Sequence, residues 1–303
     1  MSEQPAIQTD GLTRCFRRQA AVDSLDLRVP KGAVVGLLGR NGAGKTTTIK
    51  MLMGLLKPTR GCATVLGCDS RELSPAVLRR IGYLPEGHPT FGWMTLDKAA
   101  RFFRSASPRW RQEVLDNVVD YFGLPRDAKL RTLSRGQRAQ AALVLTAARD
   151  PDLLVLDDPT QGVDPVARRE LLAALVELIQ PGERTLLLSS HLLDDVERIC
   201  DRVVVIDRGV MRADCPVDTF KESIRRVEVP PDEGWADFPG MLWVEGRRES
   251  CVLTFVDTDG STLERVRDRA GDEVAEAELN LEEAFIAFTS DRRKRTLDWG
   301  GDR

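Results

Sequence analysis

The segment GRNGAGKTT, from Gly39 to Thr47, constrains this chain more than any other part of it. It follows VVGLLG, an apolar run that predicts a buried strand, and precedes a stretch with helical spacing that extends to Leu56. The segment fits the pattern GxxxxGK[ST] in the strand, loop and helix context that this pattern requires. Its glycines let the backbone curl until successive N–H groups and the positive end of the helix dipole face one anion. The sequence therefore predicts a site for a nucleoside triphosphate.

Each position of this loop is a candidate contact to the nucleotide. The positions are Gly39, Arg40, Asn41, Gly42, Ala43, Gly44, Lys45, Thr46 and Thr47. We expect Lys45 to reach the β- and γ-phosphates and the hydroxyl of Thr46 to ligate Mg²⁺. A Gly-rich turn that fits the pattern by chance is the alternative, and the flanking strand and helix patterns count against it.

A second apolar run, LLVLD, ends in two adjacent carboxylates, Asp157 and Asp158. Acids at the end of a strand often do no more than meet solvent. In P-loop NTPases, however, a second strand ends in an Asp that holds Mg²⁺, and a neighbouring group orients the attacking water. Given the loop at Gly39–Thr47, we predict that Asp157 is a magnesium ligand and Asp158 a catalytic general base.

The remaining pattern predicts an α/β fold. Short apolar runs alternate with helical stretches, which favours a mainly parallel sheet. From about Thr95 to Arg149 the spacing is wholly helical, so we expect an inserted helical subdomain at about residues 88–149. We place one domain at residues 1–219 and a small α+β domain at 220–303, and predict that IRRVEVPPDEGW, near the start of the second domain, is a linker or irregular segment. The basic cluster Asp291–Arg295 is interpreted as a solvated helix end.

Composition limits the classes of function. The 303 residues are 42% hydrophobic and 30% charged with a net charge of -3, which is typical of a soluble chain and does not predict nucleic-acid binding. No uncharged apolar run approaches the ~20 residues that span a bilayer, and the polar N-terminus lacks a signal-like segment. The six cysteines form no CxxC pair. We therefore expect reduced thiols in a cytoplasmic protein whose membrane role, if it has one, comes through a partner.

Further motifs resemble those of ABC transporter ATPases and occur in the order expected for that family. LSRGQ, Leu133–Gln137, resembles the LSGGQ signature, and GVDP, Gly162–Pro165, resembles the D-loop. The resemblance covers about residues 6 to 215, and LNLEEAFIAFT near the end resembles the C-terminal helix of ATPases that serve ABC-2-type exporters. It implies a P-loop NTPase core of the ABC type, ATP and Mg²⁺ as ligands, and ATP hydrolysis as the activity.

The resemblance also implies roles for individual residues. Phe16 matches the aromatic that stacks on adenine, with an ordinary strand aromatic as the alternative. Glu86 lies where many members carry the Gln of the Q-loop, which implies a place beside the metal and the reacting phosphate. His191 matches the switch histidine that contacts the γ-phosphate, with helix capping as the alternative.

The LSRGQ motif implies a second copy of the chain. In the family, Ser134, Gly136 and Gln137 would contact the ATP held by the partner's P-loop, so two copies would enclose two ATP molecules in a homodimer. Ser134 is also a suitable N-cap for the helix that follows, and the two roles are compatible. Arg135 departs from the second position of LSGGQ, close to the triphosphate or the subunit interface.

Asp158 is the main departure from the family, which usually carries a catalytic Glu there. The aspartate is one methylene shorter. The role of general base is kept in our prediction, and a slowly hydrolysing nucleotide switch or self-resistance regulator is the alternative that this departure raises.

The resemblance implies the motor subunit of an exporter, bound to a separately encoded transmembrane permease at the cytoplasmic face of the membrane. GHPTFGWMTL, after Glu86, lies where the family contacts its permease, and Phe91, Trp93 and Met94 predict an exposed apolar patch. Packing inside the helical subdomain is the alternative for these residues. A soluble ABC protein of translation or DNA maintenance is a second alternative for the chain, against which the single P-loop and the absence of heptads count.

Overall fold

The chain divides into two compact units, Met1–Asp214 and Cys215–Arg303. The structure, a computed structural model, describes residues 4–179, 184–246, 250–271 and 274–290. The division falls between Asp214 and Cys215, whereas the sequence placed the boundary between 219 and 220. The first unit contains two sheets and the second unit one, and each unit has its own buried residues.

The first unit is built from strands and helices that alternate along most of its length. Its strands are β1 (Ile7–Phe16), β2 (Gln19–Leu25), β3 (Arg28–Val29), β4 (Val34–Leu38), β5 (Arg60–Val65), β6 (Cys68–Asp69), β7 (Ile81–Leu84), β8 (Leu153–Asp157), β9 (Thr185–Ser190), β10 (Arg202–Asp207) and β11 (Val210–Pro216), in which the division falls. Its helices are α1 (Lys45–Leu52), α2 (Pro75–Leu78), α3 (Leu96–Ala106), α4 (Gln112–Phe122), α5 (Arg135–Ala147), α6 (Pro165–Leu178) and α7 (Leu193–Ile199).

The larger sheet of this unit has the strand order β11-β10-β4-β9-β8-β7. The pairs from β10 through β4, β9 and β8 to β7 are all parallel. Strands β4, β8 and β9 are buried along their whole length, as apolar runs in a parallel sheet with both faces covered should be. This confirms the predicted α/β fold. It also brings the carboxyl ends of β4, β8 and β9 to one edge of the sheet.

A second, antiparallel sheet has the order β2-β1-β5-β6, with β3 paired to β1. The sequence analysis did not predict this sheet. The register of β1 against β2 and β5 shifts near Leu12, Thr13 and Arg14, and these bulges break the regular alternation that would have marked the strands. One apolar core joins both sheets and α1: it includes Ile7 and Val65 from the second sheet, Leu37 and Val155 from the first, and Ile49.

The helical subdomain lies between β7 and β8 and consists of α3, α4 and α5 around its own core. Met94 packs in that core, together with Leu96 and Leu115. Phe91 and Trp93 are 45% and 66% exposed. The sequence left two alternatives for this segment, an exposed apolar patch and packing inside the subdomain. Met94 packs inside the subdomain, whereas Phe91 and Trp93 face solvent.

The second unit contains an antiparallel sheet and helices. Its strands are β12 (Ile224–Val229), β13 (Met241–Gly246), β14 (Cys251–Val256) and β15 (Ala275–Ala277), in the order β13-β14-β12-β15. Its helices are α8 (Val217–Glu222), α9 (Ser261–Ala270) and α10 (Leu281–Thr289). The cluster Asp291–Arg295 lies outside the described residues.

The prediction of a linker at IRRVEVPPDEGW is wrong. Ile224–Val229 forms β12, which lies inside the sheet with β14 on one side and β15 on the other. Val227 and Val229 are buried, and Trp235 after the two prolines is 1% exposed in the same core. Arg225 and Arg226 are partly exposed and Glu228 is exposed, so the strand is half-buried, with its valines in the core.

Candidate nucleotide site

A cavity of about 310 Å³ opens at the carboxyl edge of the parallel sheet. Its lining comes from the loop after β4, the start of α1, the ends of β8 and β9, and the loop after β7. The lining residues are Ala21, Asn41, Gly42, Ala43, Gly44, Lys45, Thr46, Thr47, Glu86, Asp157, Asp158, Gln161 and Ser189. Seven of the nine predicted loop positions are therefore in the wall, and Gly39 and Arg40 contribute through their carbonyls, which accept from Lys45.

The loop turns into α1 at Gly44, which caps the helix in the left-handed region with φ at 112°. A Cβ at this position would lie 2.5 Å from the carbonyl oxygen of Ala21, so a side chain has no room there. The turn aims the N-terminal end of α1 at the cavity. The free N–H groups at that end favour an anion.

Lys45 is the cation of the cavity. Its Nζ donates to the carbonyl of Gly39 at 2.6 Å and to that of Arg40 at 3.3 Å. Burial lowers the pKa of Lys45, while the carboxylates of Asp158 and Asp157 oppose that shift. The loop and the lysine thus hold each other in place beside the two acids.

Asp157 ends β8 and is 1% exposed. Its Oδ1 accepts hydrogen bonds from Ser189 Oγ at 2.7 Å and from Thr46 Oγ1 at 3.2 Å. Burial raises the pKa of Asp157, and these two hydrogen bonds oppose the rise. Its Oδ2 is buried and has no hydrogen-bond partner in the described structure. A buried carboxylate oxygen left over beside the Thr46 hydroxyl suits a small hard cation, which prefers oxygen ligands.

Asp158 follows directly, in the left-handed region with φ at 52°. Its N–H donates to the Ser189 carbonyl at 3.0 Å and to Ser189 Oγ at 3.1 Å. Its Oδ2 lies 2.5 Å from Nδ1 of His191, and its Oδ1 is buried without a partner in the described part of the chain. Burial raises the pKa of Asp158, while the hydrogen bond with His191 opposes the rise. The structure therefore pairs two residues that are 33 positions apart in sequence.

The LSRGQ segment does not line the cavity. Ser134 caps α5: its Oγ accepts from the N–H of Gln137, and Gln137 Oε1 accepts from the N–H of Ser134. Gly136 is buried, and a Cβ there would lie 2.7 Å from Cβ of Ala167. Within one chain, these residues thus have a structural role in starting α5 and packing it against α6.

Phe16 is also absent from the cavity wall. It ends β1 and pairs with Gln19 across the hairpin. Its side chain is 46% exposed, with the guanidinium of Arg14 stacked 4.7 Å from the ring centroid. The ring is accessible to a stacking partner, but nothing in the described structure places it against the cavity at the loop after β4.

Three lining residues, Ala21, Gln161 and Ser189, were missed in the sequence. Ala21 lies on β2, in the sheet that the sequence did not predict. Ser189 is the last residue but one of β9, the strand beside β8, and holds both the Asp157 carboxylate and the Asp158 backbone. Gln161 lies three positions after Asp158 and reaches the same wall. The rule that the carboxyl ends of neighbouring parallel strands meet at one edge would have found Ser189. For Gln161 the motif order alone gives no such signal.

A P-loop with its lysine, a buried carboxylate beside the loop threonine, and an acid paired with a histidine define the class of P-loop nucleoside triphosphatases. The model of the family described as "ABC transporter" matches residues 22–161. The daunorubicin/doxorubicin resistance ATP-binding protein DrrA of Streptomyces peucetius is 38% identical over 232 residues, which cover 74% of this chain and 70% of DrrA. The chain therefore belongs to the ABC transporter family.

A second relative is longer than this chain. The probable multidrug ABC transporter ATP-binding protein YbhF of Escherichia coli K12 is 35% identical over 232 residues, which cover 75% of this chain but only 40% of YbhF. Among solved structures, an ATP-binding subunit of an ABC transporter superposes with a TM-score of 0.65 at 27% identity, over 72% of this chain and 92% of that one.

A dimeric ATP-binding cassette with bound ADP and Pi superposes with a TM-score of 0.61 at 18% identity, over 69% of this chain and 98% of that one. At this identity the likeness concerns the fold. The first unit of the chain is thus similar in architecture to cassettes that have been solved in dimeric form.

We predict that Lys45→Ala weakens ATP binding about 10- to 100-fold, because hydrogen bonds from a charged donor contribute on the order of 1.5–3 kcal/mol. Calorimetric titration with ATP measures the change. Lys50→Ala is the matched control, since Lys50 lies further along α1 and is exposed. Equal affinities for the Lys45 variant and the control would contradict the placement of the triphosphate.

Proposed function

We propose that the chain is the motor subunit of an ABC exporter, which hydrolyses MgATP to drive a separate transmembrane permease. The observation that carries the proposal is the meeting of Lys45, Thr46, Asp157 and Asp158 in one cavity, with His191 bonded to Asp158. The names of the relatives, drug resistance for DrrA and multidrug transport for YbhF, support export as the direction. No helix in the described ranges is long and apolar enough to cross a membrane, and a separate permease supplies that part.

Thr46 and Asp157 are proposed to hold Mg²⁺, with Glu86 facing it from the loop after β7. The orphaned Oδ2 of Asp157 supports this assignment, because a buried carboxylate oxygen without a partner is costly unless a cation approaches it. When bound, the ion would neutralise charge on the β- and γ-phosphates. Lys45 and the N–H groups at the start of α1 would orient the same phosphates for attack.

Asp158 is proposed to act as the general base. The carboxylate accepts a proton from the attacking water, which has to lie within about 2.6–3.2 Å or one further water away. Its free Oδ1 faces no protein donor in the described structure, and its Oδ2 is held by His191. His191 thereby keeps the carboxylate in orientation, and we propose that it also contacts the γ-phosphate.

We predict that Asp158→Asn lowers the rate of ATP hydrolysis by about 10²-fold or more, because the amide cannot accept the proton. ATP binding is expected to persist, so the ATP-bound state accumulates. Asp157→Asn is expected instead to weaken the dependence of ATP binding on Mg²⁺. Phosphate release and ATP binding with and without Mg²⁺ measure both effects. Undiminished turnover in Asp158→Asn would remove the general base from the proposal and leave Asp158 as an acid at the end of a strand.

Two copies are proposed to form an ATP-dependent homodimer in which each LSRGQ segment faces the partner's cavity. The segment supports this role because it lies outside the cavity of its own chain, with Ser134 exposed at the N-terminal end of α5. Such an end favours an anion. The fold shared with a solved dimeric cassette is consistent with the arrangement.

We predict that Ser134→Arg prevents ATP-dependent dimerisation and hydrolysis but leaves ATP binding by the monomer intact, because the long cation obstructs the partner's phosphates. Light scattering with and without ATP measures dimerisation. Ser134→Ala is the control for loss of the cap, which by itself costs about 1 kcal/mol. Dimerisation of the Ser134→Arg variant at the ATP concentration that dimerises the wild type would argue against the trans arrangement.

The permease is proposed to dock on an aromatic patch of the helical subdomain. Phe91 and Phe102 are about half exposed and stack edge to face with centroids 5.5 Å apart, and Trp93 is 66% exposed nearby in sequence. Exposed apolar groups of this kind mark interaction surfaces. Docking there would place the chain at the cytoplasmic face of the membrane.

We predict that Trp93→Asp releases the chain from the membrane fraction of its own cells, because a charge replaces apolar contact area. ATP binding of the purified variant is expected to be unchanged. Tyr121→Asp, at a similarly exposed aromatic of α4, is the control. If both variants stay with the membrane as the wild type does, the patch is not the docking surface.

A further inference from the structure

A buried histidine joins the loop after β7 to the segment that follows Asp158. His88 is 6% exposed, although it lies in a loop, and its Nε2 is 2.7 Å from the carbonyl oxygen of Pro159. A carbonyl can only accept, so Nε2 carries the proton and donates. The backbone of His88 is in the left-handed region with φ at 50°, which is uncommon for a residue other than glycine. The surrounding structure therefore holds His88 in this position.

Pro159 is the residue after Asp158, so its carbonyl is the first backbone acceptor beyond the proposed base. The next residue is held as well: Thr160 Oγ1 donates to Asp195 Oδ2 at 2.8 Å, and Arg168 Nε donates to the other oxygen of Asp195 at 2.7 Å. Asp195 is 2% exposed and lies on α7, shortly after His191. The segment after Asp158 is thus held on one side by α7 and on the other by His88.

We propose that His88 is a positioning residue for hydrolysis: its bond to the Pro159 carbonyl fixes the backbone on which the Asp158 carboxylate is carried. This inference rests on the proposed function. The backbone N–H of Asp158 is held by Ser189, and its side-chain Oδ2 is held by His191. The His88 bond holds the carbonyl of Pro159, the next residue, so the backbone after Asp158 is restrained as well.

The need for this restraint follows from the short side chain of Asp158. Misplacing a catalytic group by ~1 Å can cost on the order of 10²-fold in rate. An aspartate reaches less far from the backbone than a glutamate, so the backbone itself has to be placed closely. His88 also lies two residues from Glu86, and the bond therefore ties the loop that carries Glu86 to the segment that carries Asp158.

The test compares His88→Gln with His88→Asn. The amide nitrogen of Gln lies at nearly the same distance from Cα as Nε2 of His and retains the donor, whereas the amide of Asn is too short to reach Pro159. His88→Ala removes the group altogether. For each full-length variant, kcat and KM for ATP hydrolysis, ATP affinity and the melting temperature are measured beside the wild type.

We expect kcat to fall about 10-fold or more in His88→Asn and His88→Ala, with KM and ATP affinity within about twofold of wild type, and to be largely restored in His88→Gln. Equal kcat values for the Asn and Gln variants would overturn the inference, even if His88→Ala fails to fold. A fall in affinity that parallels the fall in kcat would also overturn it, because the residue would then serve binding. A wild-type protein without ATPase activity would overturn the proposed function, and this inference with it.

Discussion

The site depends on the burial of one carboxylate, that of Asp157. A nearly inaccessible charge is costly unless its oxygens find partners, and here Oδ1 takes hydrogen bonds from Ser189 on β9 and from Thr46 on α1. These bonds connect the end of one strand, the end of its neighbour and the start of the P-loop helix. The same serine holds the N–H of Asp158. The second acid is thereby placed beside the first and opposite His191.

The meeting of these groups could largely be anticipated from the sequence. GxxxxGK[ST] requires a particular loop, and apolar runs such as LLVLD predict parallel strands whose carboxyl ends share an edge. The bond between Asp158 and His191 lies at that edge, but the sequence assigned His191 by resemblance to the γ-phosphate and not to Asp158. The bond between His88 and Pro159 was not predicted either, because it depends on a loop conformation with positive φ that no periodic pattern encodes.

Elements with irregular or misleading patterns were harder to predict. The strands β1 and β2 carry bulges that disturb their alternation, so the antiparallel sheet was not foreseen. The charges and following prolines of Ile224–Val229 suggested a linker, yet burial of Val227 and Val229 makes it an inner strand. In both places long-range pairing outweighs the local composition. The predicted role of Phe16 depends on a bound nucleotide, and that of the LSRGQ segment on a second copy of the chain. A pattern within one chain cannot show either contact.

The contacts of Lys45 explain why this position carries an amine and not merely a positive charge. An ammonium has three donors arranged as a tripod, and the carbonyls of Gly39 and Arg40 engage two of them. The third remains for an oxygen in the cavity. A guanidinium presents its donors in one plane, so it would lose either the hydrogen bonds to the loop carbonyls or the contact to an oxygen in the cavity. The geometry of its donors, more than its charge, therefore explains why lysine stands at position 45. Lysine can hold the P-loop carbonyls and contact an oxygen in the cavity at the same time.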